Sequence, residues 1–553
     1  VRTDQLRCTV EETGTFLEQV MGIQFPDETI QQVTVRTEGW LVGLQLLGLS
    51  LPERADPLTL LQEVCGQQRY ILDYLTEVVL RRQPQEVQTF LLSTCMLERL
   101  TASLCDALTQ HTDSQQMLQR LEQANLFVVA LDSKRQWYRY HALFAEALRY
   151  QLEQTHADQV LILHHRASRW YAEHDQTTQA ILHAFQAKEW QWAADLIERK
   201  SLSLITLTWG ASQHQLALLQ HWLEQLPVEV MGSRPRLCLA CAHMLRTTAP
   251  LPLLDAWFDV AEATLTASLK TLTPEDASLP MLVPQLRQEQ ENLLAEVIAW
   301  RAIVHSIWED QGQIALALAQ QARSLLSADN ALGHAQVLWP QVFALYVSSA
   351  NDAMAAVERG LQAGSLATAA GQPAMAISFM GGTASFMIGA GQLHAAQQLT
   401  QQAIQLGSKS GEPSLPEVGW PTVLQAEILR EWNQLDTAYT LAQEGLALSQ
   451  QAESMLVLVY VICGYAVLLH IALSCADLDA AHAALQQCER ISMSLNRPFS
   501  LHMRSLFITI DQVRLWLACG ELRRASLWVE ALDVSQRHGT PLAREREEVA
   551  CAR

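Results

Sequence analysis

Positive charge is scarce in this chain: 38 Lys and Arg stand against 58 Asp and Glu, a net charge of −20 over 553 residues. A nucleic-acid backbone is gripped by clustered cations, so the chain itself is not expected to hold DNA or RNA. Charge of either sign is thin, 17% of residues against 49% hydrophobic, which excludes a disordered polymer and calls for several buried cores at this length. The 11 cysteines are scattered, which suits a reducing cytoplasm. The single Cys-x-x-Cys, Cys238 and Cys241, has no second pair and no histidines at zinc spacing, so helix packing is expected there and a metal site is not. No His-Glu-x-x-His, Gly-x-Ser-x-Gly or Gly-rich dinucleotide turn occurs. A phosphate-cradling Gly-x-x-x-x-Gly-Lys-Ser/Thr is missing as well, and Gly407-Ser-Lys-Ser has the wrong order to serve as one. No catalytic residue is therefore assigned. Long apolar runs are few. The longest, Met455 to Leu473, is flanked by Glu453, Asp477 and Asp479 without a basic anchor, so a buried helix is expected and a membrane span is not. The chain starts at Val1 and stops at Arg553 within helical pattern, from which a portion of a longer protein is expected.

What is present is mostly helical punctuation. In residues 1–66, Thr9-Val-Glu-Glu is a capping box opening a helix to about Met21, and Asp27 to Glu38 is a second helix. Gly39, Gly43 and Gly48 punctuate a third, apolar helix. Glycine weakens a helix by about 1 kcal/mol against Ala, so these positions imply either close helix packing or the approach of a ligand. In residues 67–155, helices are expected over Tyr70–Arg82, Gln85–Met96, Ser103–Gln110 and Ser114–Ala124. A strand at 126–131, a turn at Asp132-Ser-Lys-Arg and a returning strand at 136–140 follow, which is a winged-helix plan. Arg120, Lys134, Arg135 and Arg139 give it only a weak basic face. His164 and His165, beside Arg166 and Arg169, read as a solvated helix face.

From residue 156 onward a signature recurs: a small or turn residue, a polar residue, Leu or another apolar residue, two variable residues, Ala. Its copies begin at Gly312, Asn351, Gly391, Asn433, Ala476 and Gly520, spaced 39, 40, 42, 43 and 44 residues apart, with Lys188 opening an earlier copy. Such a period holds two helices and two turns, the plan of a helix-pair solenoid. Leu393, Ala396, Leu399 and Ala403, with Leu435, Ala438, Leu441 and Gly445 and with Leu522, Ala525, Trp528 and Leu532, repeat one apolar stripe. The array resembles tetratricopeptide repeats with a stretched period. Residues 156–270 form a first section, 271–287 a Pro-rich connection and 288–553 the main superhelix; Gly407 to Pro421 is a second long connection. Trp300, Trp308, Trp339, Trp420, Trp432, Trp516 and Trp528 are candidates for a binding groove, Trp300, Trp339, Trp420 and Trp432 foremost, although for any one of them core filling is the more common role.

Arg36-Thr-Glu-Gly-Trp, Gly43-Leu-Gln-Leu, Leu97-Glu-Arg-Leu, Leu121-Glu-Gln-Ala-Asn-Leu-Phe, Trp137-Tyr-Arg-Tyr-His-Ala-Leu-Phe and His164-His-Arg-Ala-Ser-Arg-Trp-Tyr occur in one order. In that order they resemble the MalT-like, LuxR-family regulators, which are large bacterial signal-transducing ATPases of the STAND class. The resemblance implies a mainly α chain: a helical lid and winged-helix unit followed by an α-solenoid. It further implies a cytoplasmic signal-sensing portion whose array takes an inducer or regulatory protein, and self-association on activation. ATP or ADP would be held largely by an NTPase core, and DNA by a C-terminal helix-turn-helix, both outside this sequence. His141 matches the winged-helix histidine that reaches the diphosphate of bound ADP in related switch ATPases, although Tyr140-His141-Ala142 replaces the Met-His-Asp of the eukaryotic relatives. Gly39 is the second residue assigned to nucleotide sensing. A free-standing protein-binding scaffold of helical repeats is the alternative.

Overall fold

The computed structural model describes residues 7–20, 25–41, 44–45, 72, 75–124, 126–206, 213–245, 249–272, 283–308, 312–348, 353–408, 415–451, 455–493 and 508–531. Gly43, Gly48 and most of the expected third helix lie outside them, as do 273–282 of the Pro-rich connection and Leu532. The chain packs as two compact units, Val1–Leu196 and Ile197–Arg553.

In the first unit, α1 (Val10–Gln19) begins at the expected capping box. Thr9 Oγ1 accepts the Glu12 N–H at 3.2 Å while the Glu12 carboxylate accepts the Thr9 N–H at 2.8 Å. Helix α2 (Asp27–Thr37) ends in two left-handed residues, Glu38 at φ 49° and Gly39 at φ 67°. A Cβ on Gly39 would stand 2.4 Å from the Cys8 carbonyl oxygen, so this glycine is required where two stretches of the chain's own backbone meet. A π-helical turn (Leu75–Leu80) leads to α3 (Gln85–Thr94), α4 (Ala102–Thr109), α5 (Ser114–Gln123), β1 (Val128–Ala130) and β2 (Tyr138–Tyr140).

The hairpin pairs Val128 with Tyr140 and Ala130 with Tyr138, and its strands are shorter than the alternation suggests. Phe127 is left-handed at φ 55°, which delays the start of β1, and the Asp132 carboxylate takes the Gln136 and Trp137 N–H groups at 2.9 and 3.1 Å, which draws both into the turn. On its other edge Tyr138 exchanges two backbone hydrogen bonds with Leu100, at 2.7 and 2.9 Å, adding a one-residue bridge to the two-stranded wing. One extended residue between two helices carries no alternation, so Leu100 gave no strand signal.

Helices α6 (Ala142–Thr155), α7 (Ala157–Glu173), α8 (Thr177–Gln186) and α9 (Trp190–Thr206) follow. The reading of His164 as solvated is corrected. Its Nδ1 lies 2.8 Å from Nδ1 of His183 on α8, and burial holds both imidazoles down at about 4. The pattern of α7 alone could not show that α8 folds back over it.

The second unit begins within α9, at Ile197, and continues with α10 (Gln213–Gln225), α11 (Val228–Gly232), α12 (Pro235–Leu245) and α13 (Leu251–Thr271). Cys238 and Cys241 are buried on α12, their thiols contacting the Met231 carbonyl and sulfur, and burial pushes them up to about 11 and 12. The helix pairs then run α14 (Val283–Trp308) with α15 (Gly312–Leu325), α16 (Ala331–Ser348) with α17 (Ala353–Ala369), and α18 (Pro373–Gly389) with α19 (Leu393–Ser408). A 3-10 turn (Pro416–Val418) leads into α20 (Gly419–Glu431) with α21 (Leu435–Gln451), then α22 (Met455–Ser474) with α23 (Leu478–Met493), and α24 (Thr509–Ala518) with α25 (Leu522–Ala531).

In five copies the first residue of the signature has a backbone cause; Gly312 instead opens its helix, and Asn351 lies outside the described residues. Lys188, Gly391, Asn433, Ala476 and Gly520 are all left-handed, at φ 56°, 75°, 59°, 57° and 75°. The N–H after each of the last four reaches back to a carbonyl near the end of the preceding helix: Gln392 to Met387 and Glu521 to Trp516 at 2.8 Å, Gln434 to Leu429 and Asp477 to Ala472 at 2.9 Å. This is a Schellman stop, satisfying orphan carbonyls while turning the chain into the second helix of the pair. Gly371 and Asp175, at φ 69° and 57°, use the same device outside the signature. In the second helix, Ala396, Ala438 and Ala481 are fully buried while Leu393 and Leu435 are only partly so, and Leu522 is exposed. The alanine is the contact point and the leucine its rim. Helix α18 is buried all round, and α22 is buried on several faces from Tyr460 onward. Among the described residues no helix is long and apolar enough to cross a membrane.

Because Ala476 pays the left-handed penalty of about 1–2 kcal/mol that glycine escapes, Ala476→Gly is expected to stabilise the array by up to that amount. Gly391→Val should destabilise it, in urea unfolding followed by circular dichroism; the opposite order would refute the backbone account.

Candidate functional site

His141 follows the second strand of the wing and is the N-cap of α6, yet its side chain makes no capping hydrogen bond. The cap comes instead from Glu38, distant in sequence at the end of α2: its Oε1 accepts the Ala142 N–H at 3.2 Å. The same carboxylate accepts both guanidinium arms of Arg139, at 2.6 and 2.7 Å, and lies 3.3 Å from Arg7. Burial opposes its charge, but Arg139, His141 and the Ala142 N–H outweigh that and hold the Glu38 carboxyl at about 2. Left-handed Glu38 is what aims this side chain away from α2 and at the wing. Arg139, part of the weak basic face expected on the wing, is thus spent internally, and Arg135 pairs with Glu122 at 3.3 Å.

His141 is 7% exposed, enclosed edge-on by Trp40 and Phe127 at 6.0 and 6.1 Å between ring centroids. One ring nitrogen bonds the Thr37 backbone, and Nδ1 has no hydrogen-bond partner. Burial lowers its pKa first; Glu38 opposes that shift, while Arg7 and Arg139 add to it. Gly39 lies one residue from Glu38, its Cβ position filled by the Cys8 backbone. The structure therefore brings Gly39 and His141 into one neighbourhood around Glu38, which sequence reasoning did not single out although it stands inside Arg36-Thr-Glu-Gly-Trp.

In the array the tryptophans are placed as follows. Trp300 is buried against His243 at 4.0 Å between centroids, and Trp339 is buried and stacked on Phe379 at 4.6 Å. Trp420 stacks on Tyr460 at 4.5 Å, and Trp432 is half-buried beside His394 at 5.1 Å. Trp339 and Trp420 meet at Gly382, where a Cβ would lie 2.4 and 3.3 Å from their rings. Trp516 and Trp528 are half-buried, and the side chain of Trp308 lies outside the described residues.

A charged line joins the first helices of the last three pairs. His470 on α22 sits between Glu427 on α20 at 3.3 Å and Asp511 on α24 at 3.0 Å; Arg430 forks onto Glu427 and Arg514 reaches Asp511. Burial works against the charged ring, but Asp511 and Glu427 prevail and push His470 up to about 10. Glu427 is correspondingly held at about 2. No spacing rule in sequence couples three repeats in this way. Among the described residues no group of three or more His, Cys, Asp or Glu could hold a metal ion.

Two titrations follow. Glu38, depressed from its ordinary value, contributes stability that is complete above pH 4.5 and fades as pH falls toward 2; with solvent screening of this half-buried group, Glu38→Gln should cost the first unit roughly 1–2 kcal/mol at pH 7 and remove that acid dependence. His470 is raised, so its contribution is complete below pH 6.5 and drains away as pH climbs toward 10. Melting of the array should drop across that window, and His470→Gln should flatten the drop; a profile unchanged by the substitution would dispose of the ion-pair account.

Comparison with known proteins places these features. Residues 75–160 match the model of the MalT winged helix domain and residues 295–553 that of the MalT-like TPR region, together more than half of the chain. The HTH-type transcriptional regulator MalT of Serratia proteamaculans is 25% identical over 95% of this chain and 55% of its own length, and that of Vibrio parahaemolyticus 23% over 89% and 51%. The serine/threonine-protein kinase PknK of Mycobacterium tuberculosis is 32% identical over 44% of this chain and 22% of the kinase. The chain thus spans about half the length of the MalT relatives and about a fifth of the kinase. A STAND protein with a tetratricopeptide repeat sensor from Pyrococcus horikoshii aligns at a TM-score of 0.50 and 12% identity, covering 99% of this chain and 75% of its own, a likeness of fold. The chain belongs to the MalT-like family, carrying its winged helix domain and its tetratricopeptide-like region.

Proposed function

We propose that this chain is the sensing and coupling portion of an ATP-dependent transcriptional regulator. The observation that carries this reading is the Glu38 node: one carboxylate ties the end of α2 to the wing and to the N-terminus of α6, beside a buried histidine with an unused ring nitrogen. An inducer or regulatory protein would bind the helical array, and the winged helix would pass that event on to nucleotide state. The bound diphosphate would supply anionic oxygens, and His141 suits contact with them because its Nδ1 has no partner. With the other ring nitrogen committed to Thr37, a neutral His141 offers Nδ1 only as an acceptor; donating to phosphate requires a second proton. Arg7 and Arg139 disfavour that proton and Glu38 favours it. ATP and ADP are assigned to the full-length protein, DNA contact to a helix-turn-helix elsewhere in it, and the compartment to the cytoplasm.

In the full-length protein, His141→Ala is expected to shorten ADP retention severalfold and raise basal transcription. ADP retention by the wild type should strengthen as pH falls below 6.5, a dependence absent from the variant. Equal retention by both proteins at every pH would remove the nucleotide-sensing role.

A further inference from the structure

Around the turn that opens α20, three side chains hold buried polar atoms that no neighbouring residue pairs: both carboxylate oxygens of Glu417 in the turn, the indole Nε1 of Trp420 on α20 and the hydroxyl of Ser449 near the end of α21. They are neighbours. Glu417 lies in the 3-10 turn Pro416–Val418, Trp420 follows one turn later, and a Cβ placed on the intervening Gly419 would stand 2.3 Å from Ser449 Oγ. The Trp420 ring is fixed by Tyr460, whose hydroxyl donates to Ser378 at 3.2 Å.

Native interiors leave few polar groups unpaired, because each costs about 1–3 kcal/mol, and a lone carboxylate is the costliest kind. Glu417 has no exposed surface. Among the described residues, nothing packed on its turn offers a counter-charge. Helices α18, α19 and α21 carry neither Lys nor Arg, and their titratable residues are His394, Asp436, Tyr439 and Glu444. On α20, Glu427, Arg430 and Glu431 sit at the far end, with Glu427 and Arg430 committed to each other. Burial accordingly pushes the Glu417 carboxyl up to about 7.

We propose that Glu417, Trp420 and Ser449 form a receptor point for a small ligand carrying an ammonium group beside a hydrogen-bond acceptor, and that the array takes its effector there. The proposal rests on the reading of the array as a sensor. The ammonium supplies the missing counter-charge and N–H donors to Glu417, the acceptor takes the Trp420 indole N–H, and Ser449 serves either. All three groups are shielded, so entry requires the turn to part from α21. The closed array keeps its polar groups unpaired and the occupied one pairs them, which is the differential affinity a two-state sensor needs.

The test uses ethanolammonium as probe and ethylene glycol as its neutral counterpart, on the whole chain at pH 8, read by melting temperature and tryptophan fluorescence. Ethanolammonium is expected to raise the melting temperature in proportion to the logarithm of its concentration, and ethylene glycol is not. Glu417→Gln should abolish the shift. Without ligand that variant should melt above the wild type at pH 8 and level with it near pH 4.5, because the raised Glu417 pKa makes its penalty grow as pH rises from 4.5 through 7. No shift with the amine, an equal shift in Glu417→Gln, or an equal shift with the glycol each overturns the proposal. A Glu417-dependent shift without any change in transcription by the full-length protein would uphold the site and refute the sensor reading alone.

Discussion

The carboxylate of Glu38 is the constraint on which the first unit depends. It stands at the N-terminus of α6, where unpaired N–H groups and the helix dipole favour an anion, and it is gripped there by the planar fork of Arg139. Each partner would be costly to leave alone in a half-buried setting, so the end of α2, the wing and the start of α6 hold together as one joint. His141 lies in that joint because it is the residue where strand becomes helix. Any anion reaching its ring does so beside a carboxylate already held by arginines, which is why the proton on His141 and the charge of Glu38 belong to one electrostatic account.

The array solves a different problem with less chemistry. Left-handed residues end its helices, buried alanines set how closely helices approach, and large apolar side chains fill the rest. Buried charge departs from this economy, as where Arg301 and His305 meet Asp255. The Glu427–His470–Asp511 line is fully paired and stitches the last three pairs together. Glu417 is unpaired in an apolar surround. A paired network stiffens and an unpaired one waits for a partner, so this line and Glu417 are suited to opposite tasks.

The helical content, the hairpin and the repeat period were legible because each has a local cause: capping chemistry at Thr9, turn chemistry at Asp132, a left-handed stop at Gly391 or Asn433. Where the local cause was weak the reading slipped. Leu100 pairs with the wing on the strength of one residue, and His164 is covered by a helix that its own pattern cannot reveal. The candidate site was half legible. His141 and Gly39 stood in recognisable motifs, while Glu38 between them gave no sign of its role, since its partner lies in another motif.

By itself the sequence determined the class of fold, the rhythm of the array and the family likeness, because these follow from periodicity, backbone preference and ordered motifs that survive any arrangement in space. Only the tertiary structure decided which charges are spent and which are free. Arg139 reads as a basic surface residue until Glu38 is found against it, and Glu417 reads as an ordinary acid until it is seen buried with no cation beside it among the described residues. Electrostatic energy depends on distance and burial, and neither is a property of position along the chain.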